Sequence, residues 1–154
     1  MKWYSNKKVQ IFFNDKPLIG IRYTTPTMTK KQRKTIEKYP FINKRKLQVY
    51  LEDCKKEKIY TFCIPKGYCY DGASVPRFFW RIIGANTDNR FLVAALIHDI
   101  LCENHHYIDN DRNFSTEVFN ALLEASCVNK FKRFLMKHSV NFYQRFCSWN
   151  KNKK

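Results

Sequence analysis

The sequence predicts an α+β fold, with an N-terminal antiparallel sheet of about four to five short strands followed by three to four helices. Three observations carry this expectation. Short β-type runs separated by turn-forming residues fill the first 70 positions. After Asp71 the apolar residues recur at helical spacing. One helical stretch, residues 89–102, is apolar on nearly every side, which is the pattern of a buried central helix.

Residues 9–13 and 18–24 are β-type runs, joined by Asn14, Asp15, Lys16 and Pro17. Those turn formers predict a hairpin between the two runs. Pro26 and Thr27 then break the strand pattern. Thr29 and Gln32 have the spacing of a capping box, so a short basic helix is expected to about Tyr39, stopped by Pro40. Residues 47–51 and 59–64 form a second predicted hairpin around the polar turn 52–58, and residues 68–70 extend the sheet after the Pro65-Lys66-Gly67 turn.

In the second half, residues 78–83 predict one or two helical turns closed by Gly84. Asp88 or Thr87 is a candidate cap for the apolar helix 89–102, in which His98 and Asp99 are expected to be buried. A further helix runs from Asp111 to about Ala125, with Phe114, Val118, Phe119, Leu122 and Ala125 on one face. The last, roughly residues 130–146, places Phe131, Phe134, Leu135, His138, Phe142 and Phe146 on an apolar stripe. That stripe is expected to pack onto the core; a basic amphipathic helix could instead lie on a membrane or a partner.

At 154 residues the chain is expected to be one domain, and its 44% hydrophobic and 16% aromatic content excludes wholesale disorder. No apolar run approaches the ~18–20 residues of a membrane span, and the N-terminus has no signal-peptide core. The expectation is therefore a cytoplasmic protein. Its six Cys, with no C-x-x-C, read as reduced thiols, mostly small core hydrophobes, rather than as a zinc ribbon or finger.

The net charge of +16 is unevenly spread. Residues 1–60 carry sixteen Lys/Arg against five Asp/Glu, and residues 111–154 nine against three. Residues 61–110 carry four against five. A nearly neutral block thus sits between basic flanks, as a compact site on an anion-attracting surface would. Within the first flank, Lys30, Lys31, Arg33, Lys34, Lys44, Arg45 and Lys46 interleave with Tyr39 and Phe41. They are the candidate nucleic-acid contacts, the alternative being a solvated charge run.

The neutral block holds the chemistry. It opens with I-P-K-G-Y-C-Y-D-G-A-S-V-P-R at residues 64–77 and continues through A-A-L-I-H-D-I-L at residues 94–101. It contains three of the four Gly in the chain. His98 and Asp99 stand side by side among apolar neighbours, and a buried Asp requires a partner. Candidate partners are the Asp71–Ser74 turn, Arg77, or a divalent metal. The candidate catalytic set is His98, Asp99, Asp71 and Asp111, with Ser74 and Arg77 binding substrate. A metal would take His98, Asp99 and Asp111. Adjacent His-Asp also resembles the dyad of the HD phosphohydrolase superfamily, for which Asp111 could be the downstream ligand; no His precedes His98. A separate zinc grouping would use His98, Cys102 and His105, with His106 beside them. The structural alternative makes the block a tight turn, an Arg77–Asp99 ion pair and a hydrogen-bonded core histidine.

The order P-K-G-Y-C-Y-D-G-A-S-V-P-R-F-F-W at residues 65–80, A-A-L-I-H-D-I-L, and an Asp opening a helix resembles a small domain family of unknown function found among tailed bacteriophages and prophages. The resemblance covers roughly residues 47–145. It implies that Asp71, Ser74, Arg77, His98, Asp99 and Asp111 are the shared polar signature, with Cys102 standing where a Tyr commonly follows. Residues 1–46 then read as a basic N-terminal hairpin and extension, and 146–154 as a basic tail. Two functions follow as expectations. The first is a phage-type hydrolase, with a metal cofactor or without, acting on an anionic substrate in the bacterial host cytoplasm. The second is a non-enzymatic phage protein: a virion component, an inhibitor of a host or defence factor, or a nucleic-acid binder.

Overall fold

The computed structural model describes residues 2–72 and 89–145. Ser74, Arg77, the turn at 78–83, the caps Thr87 and Asp88, and Phe146 lie outside the described residues. The elements are β1 (Lys2–Ser5), β2 (Val9–Phe13), β3 (Ile19–Ile21), α1 (Lys30–Lys38), β4 (Phe41–Asn43), β5 (Leu47–Asp53), β6 (Lys58–Ile64), β7 (Cys69–Tyr70), α2 (Asn89–Glu103), α3 (His105–Ile108), α4 (Arg112–Ala125) and α5 (Lys130–Tyr143). The fold is α+β, with antiparallel strands first and helices after.

Two sheets are present where one was expected. The larger has the order β1-β2-β5-β6, and the smaller β3-β4-β7. The β5–β6 hairpin forms as predicted, with Leu47 opposite Ile64 and Asp53 opposite Lys58. The first predicted hairpin does not form. Both edges of β2 are occupied, by β1 on one side and β5 on the other. Asn14 stays with β5, its side chain accepting from the Gln48 backbone N–H at 2.7 Å. The chain therefore leaves this sheet at Asp15–Pro17, and Ile19–Ile21 pairs with Phe41–Asn43 in the second sheet. Residues 69–70 join that sheet as well, through β4.

Alternation along the strands sets the core face. Val9, Ile11 and Phe13, then Leu47, Val49 and Leu51, then Tyr60 and Ile64 are buried. They join one hydrophobic cluster with Phe91, Leu96, Ile97 and Leu101 of α2 and Val118, Phe119 and Leu122 of α4. α2 packs chiefly on α4, and α4 on α5, β1 and β2. The N-terminal 46 residues contribute Val9, Ile11, Phe13 and Phe41 to this cluster, with Tyr4 and Ile19 packed against it.

α1 begins with both bonds of the expected capping box. The Gln32 backbone N–H donates to Thr29 Oγ1 (3.2 Å), and the Thr29 N–H donates to Gln32 Oε1 (2.8 Å). Only Ile36 of this helix is buried. α5 differs from its predicted packing. Met136 and Val140 face the core, whereas Phe131, Phe134 and Phe142 are exposed. Positions two apart on an α-helix are ~200° apart, so the residues flanking the aromatic stripe take the inward face.

Candidate functional site

The site is built where β7 hands over to α2. Asn43 sets its first wall. This fully buried side chain donates from Nδ2 to the carbonyls of Arg45 (2.6 Å) and Pro65 (3.0 Å). Its backbone N–H donates to the Tyr68 carbonyl (2.8 Å), and its carbonyl accepts from the Gly67 N–H (2.7 Å). Gly67, at φ +92, supplies the left-handed turn this clamp requires. The clamp places Tyr68, Tyr70 and Asp71 beside α2. Gly72, at φ +90, then turns the chain away from β7.

Tyr70 is buried and donates through its hydroxyl to the Leu92 carbonyl of α2 (2.9 Å). About two turns along the same helix lies Asp99, with a side chain only 15% exposed. Burial pushes the Asp99 carboxyl well above the usual Asp value. The charge of Asp71, a hydrogen bond with Asp71, and the charge of Glu103 push it further the same way. Burial and the neighbouring carboxylates thus favour the protonated form of Asp99, beside Asp71. Asp71 itself is exposed.

Glu103 is four residues after Asp99, on the same face of α2. It accepts a hydrogen bond from the Tyr68 hydroxyl at 2.5 Å. Burial, then Glu103, Asp99 and Asp71, raise the Tyr68 phenol above its ordinary value. Burial and Asp99 do the same to Tyr70. The result is a group of three carboxyls and two phenols contributed by the end of β7 and by α2.

His98 adjoins this cluster but faces the other way. Its Nδ1 lies 3.8 Å from Asp99 Oδ1, beyond hydrogen-bonding length. Its ring is 5.1 Å from that of Phe119 on α4. The Cys102 thiol approaches both ring nitrogens, at 3.6 Å and 3.8 Å. Gln144 donates to the Cys102 sulfur and, at 3.3 Å, to Ser115 Oγ. His98, Cys102, Ser115, Thr116 and Gln144 thus form a buried polar network between α2, α4 and the end of α5.

Asp111 is placed elsewhere. It is the N-cap of α4, accepting from the Phe114 backbone N–H at 2.7 Å, and it pairs with Lys56 of the β5–β6 turn. Burial acts to raise its pKa, but the Lys56 ammonium and the Phe114 and Asn113 N–H groups outweigh burial and hold it low. It lines a pocket of about 380 Å³ with Lys8, Asp53, Lys56, Asn113 and Glu117. The structure therefore brings Asp71, Asp99 and His98 together and sets Asp111 apart. Among the described residues no three His, Cys, Asp or Glu side chains are grouped to hold a metal. The sets His98/Asp99/Asp111 and His98/Cys102/His105 thus do not fit a metal centre; His105 Nδ1 instead meets the Cys102 carbonyl at 2.8 Å.

The basic candidates separate too. Lys30, Lys31, Lys34 and Lys38 line a shallow groove of about 710 Å³ on α1, with Tyr39 at its end. Arg33 donates to the Pro26 carbonyl (2.7 Å), and Arg45 pairs with Asp15 (2.8 Å). Lys44 and Lys46 are exposed on the β4–β5 connection. Tyr68, Glu103 and Asn43 were missing from the sequence-based set. Glu103 was detectable from its i+4 relation to Asp99, whereas nothing local marks Asn43.

With this geometry in hand, comparison with known proteins is informative on one point. The sequence profile of a family described as "Protein of unknown function (DUF1353)" matches residues 47–140. The chain belongs to the DUF1353 family. The match runs from β5 to α5 and so includes Tyr68, Asp71, His98, Asp99, Glu103 and Asp111. The chain is also similar to "Uncharacterized protein y4jT" of Sinorhizobium fredii (strain NBRC 101917 / NGR234), 43% identical over 53 residues. That stretch is 33% of this chain and 16% of the relative, so the chain spans a small part of that protein's length. No solved structure matches. Among the described residues, no helix is long and apolar enough to cross a membrane.

Proposed function

We propose that this DUF1353 protein is a hydrolase that works by acid–base catalysis through the Asp71/Asp99 pair. The observation that carries this reading is the hydrogen bond between the two carboxyls, one buried and one exposed. Two carboxyls that interact this way disfavour double ionisation, so one of them tends to keep its proton. Asp99 then serves as the acid that protonates a leaving group, and Asp71 as the base that activates water. Burial and the negative charges of Asp71 and Glu103 favour the protonated form of Asp99, while the Tyr68 hydroxyl holds Glu103 in place. His98 belongs to the buried network with Cys102 in the helical core rather than touching substrate. Ser74 and Arg77 remain the proposed substrate-binding residues, and the basic flanks favour an anionic substrate. The motif order supports a role in a phage-infected bacterium.

The test is turnover by the full chain on chromogenic phosphate mono- and diesters, acyl esters and peptidoglycan between pH 4 and 8. Asp99→Asn and Asp71→Asn should each lower the rate ~10²–10⁴-fold while leaving the fold intact. Absence of hydrolysis on every substrate, or full activity of Asp99→Asn, would sink the reading.

A second reading has its own support in the α1 groove. Four lysines on a helix that buries a single residue present charge outward, with Lys38 lying over the Tyr39 ring. This favours a nucleic-acid or other polyanion binder, with the carboxyl cluster bracing the fold.

A further inference from the structure

Helix α5 buries one apolar face against the domain and carries exposed aromatic rings on the other. Met136 and Val140 are buried against the domain. Phe131 and Phe134 are 61% and 58% exposed, and Phe142 continues the same side at 66%. Successive helical residues are ~100° apart, so Phe134 lies ~200° from Met136 and Phe142 ~200° from Val140. The aromatic ridge is therefore opposite the packed face. Phe134 and His138 lie ring to ring at 4.3 Å, which makes the ridge continuous in its centre.

The charge around the ridge identifies what it would meet. The helix sequence K-F-K-R-F-L-M-K-H-S-V-N-F-Y carries four basic side chains and no acidic one. Arg133 and Lys137 are turned to Glu124 and Glu117 of α4, at 3.2 and 2.6 Å. Lys130 and Lys132 stand beside Phe131. The sequence beyond α5 adds Phe146, Trp149, Lys151, Lys153 and Lys154.

We infer that the outer face of α5 docks onto an anionic lipid surface, Phe131 and Phe134 entering the headgroup–acyl boundary while Lys130 and Lys132 meet the anionic headgroups. Aromatic residues on one face with lysines at its margin are the composition of an interfacial helix. A second copy of the chain is disfavoured, because two faces without an acidic residue would meet in a protein of net charge +16. A nucleic-acid strand is disfavoured by shape. Base stacking needs a groove that tracks the backbone, and the outer side of a single helix is convex. This inference does not depend on the hydrolase reading.

Sedimentation of the full chain with phosphatidylcholine vesicles, with and without phosphatidylserine, tests it. The chain should sediment with the anionic vesicles and not with the neutral ones. Phe131→Ser/Phe134→Ser should lower partitioning about tenfold or more, at unchanged far-UV circular dichroism and Tm. Lys130→Gln/Lys132→Gln should also weaken it. The inference is overturned if the wild-type chain ignores anionic vesicles, or if the double Phe variant binds them equally well. A concentration-dependent dimer that the Phe variant abolishes, without vesicle binding, would give the face to a second copy. Oligonucleotide binding that depends on the same two Phe, without vesicle binding, would give it to nucleic acid.

Discussion

The Asp99 carboxyl is hydrogen-bonded to Asp71, joining the first residue after β7 to the middle of α2. The bond spans the stretch between the two sheets and the helices, so it is both a tie in the fold and the centre of the proposed chemistry. These two roles respond differently to pH, which allows them to be separated.

Asp99 carries a raised pKa from burial, Asp71 and Glu103. Between the ordinary Asp value of 3.8 and the raised folded value, the folded chain binds more protons than the unfolded one. Stability must then fall as pH rises through that window. Asp99→Asn mimics the protonated acid without titrating. We expect the variant to gain stability relative to wild type as pH increases from 4 to 8 in urea titrations. Parallel curves for the two proteins would show that Asp99 is ionised in the folded chain.

Asp111 gives the opposite test. Its side chain caps α4, and replacing a capping Asp by Ala should cost ~1 kcal/mol. Asp111→Asn keeps the acceptor and loses only the half-exposed pair with Lys56, which should change stability by less than ~1 kcal/mol. Because its folded pKa is lowered, the charge contribution is present above the ordinary Asp value and is lost as pH falls below it. A folded Asp111→Asn variant with no hydrolytic activity would return Asp111 to the catalytic set.

How much of this was legible in the sequence follows from where each signal lies. The β5–β6 hairpin, the Thr29/Gln32 cap and the all-round apolar α2 are local patterns, and the chain shows all three. The pairing of β3 with β4 is not local. It depends on β1 and β5 filling the edges of β2, and β1 lacks any strong β pattern of its own. The block around Asp71, His98 and Asp99 was visible as a change in composition. Its geometry was not, because Asp71 reaches Asp99 only through the clamp that Asn43 makes on the turn at Gly67. Of the stripe read on α5, Leu135 packs against the core whereas Phe131, Phe134 and Phe142 face outward, since periodicity reports that a stripe exists and not what it touches.

The buried network beneath His98 should be a matter of stability alone. Gln144 donates to Cys102 and Ser115, and accepts from the Thr116 hydroxyl at 3.3 Å. Gln144→Ala removes these bonds and leaves a void between α4 and α5. A cost of ~1–3 kcal/mol is expected in denaturant unfolding, with the pH dependence due to Asp99 unchanged. A change below ~0.5 kcal/mol would mean that the network contributes nothing to the folded state.

The lysines of α1 can be tested for function because the fold gains little from those of its first turn. The first turn of α1 has no acidic residue and begins with Lys30 and Lys31, which oppose the positive end of the helix dipole. Neutralising them should therefore leave stability unchanged or raise it by a few tenths of a kcal/mol. If the groove instead binds a nucleic-acid backbone, Lys30→Gln/Lys34→Gln/Lys38→Gln should weaken oligonucleotide binding at low salt. It should also reduce the slope of log K against log [salt] by up to ~0.7–0.9 for each lost phosphate contact. Reduced binding at undiminished Tm would mark residues retained for a partner rather than for folding. Unchanged affinity and slope would leave α1 as a solvated charge run.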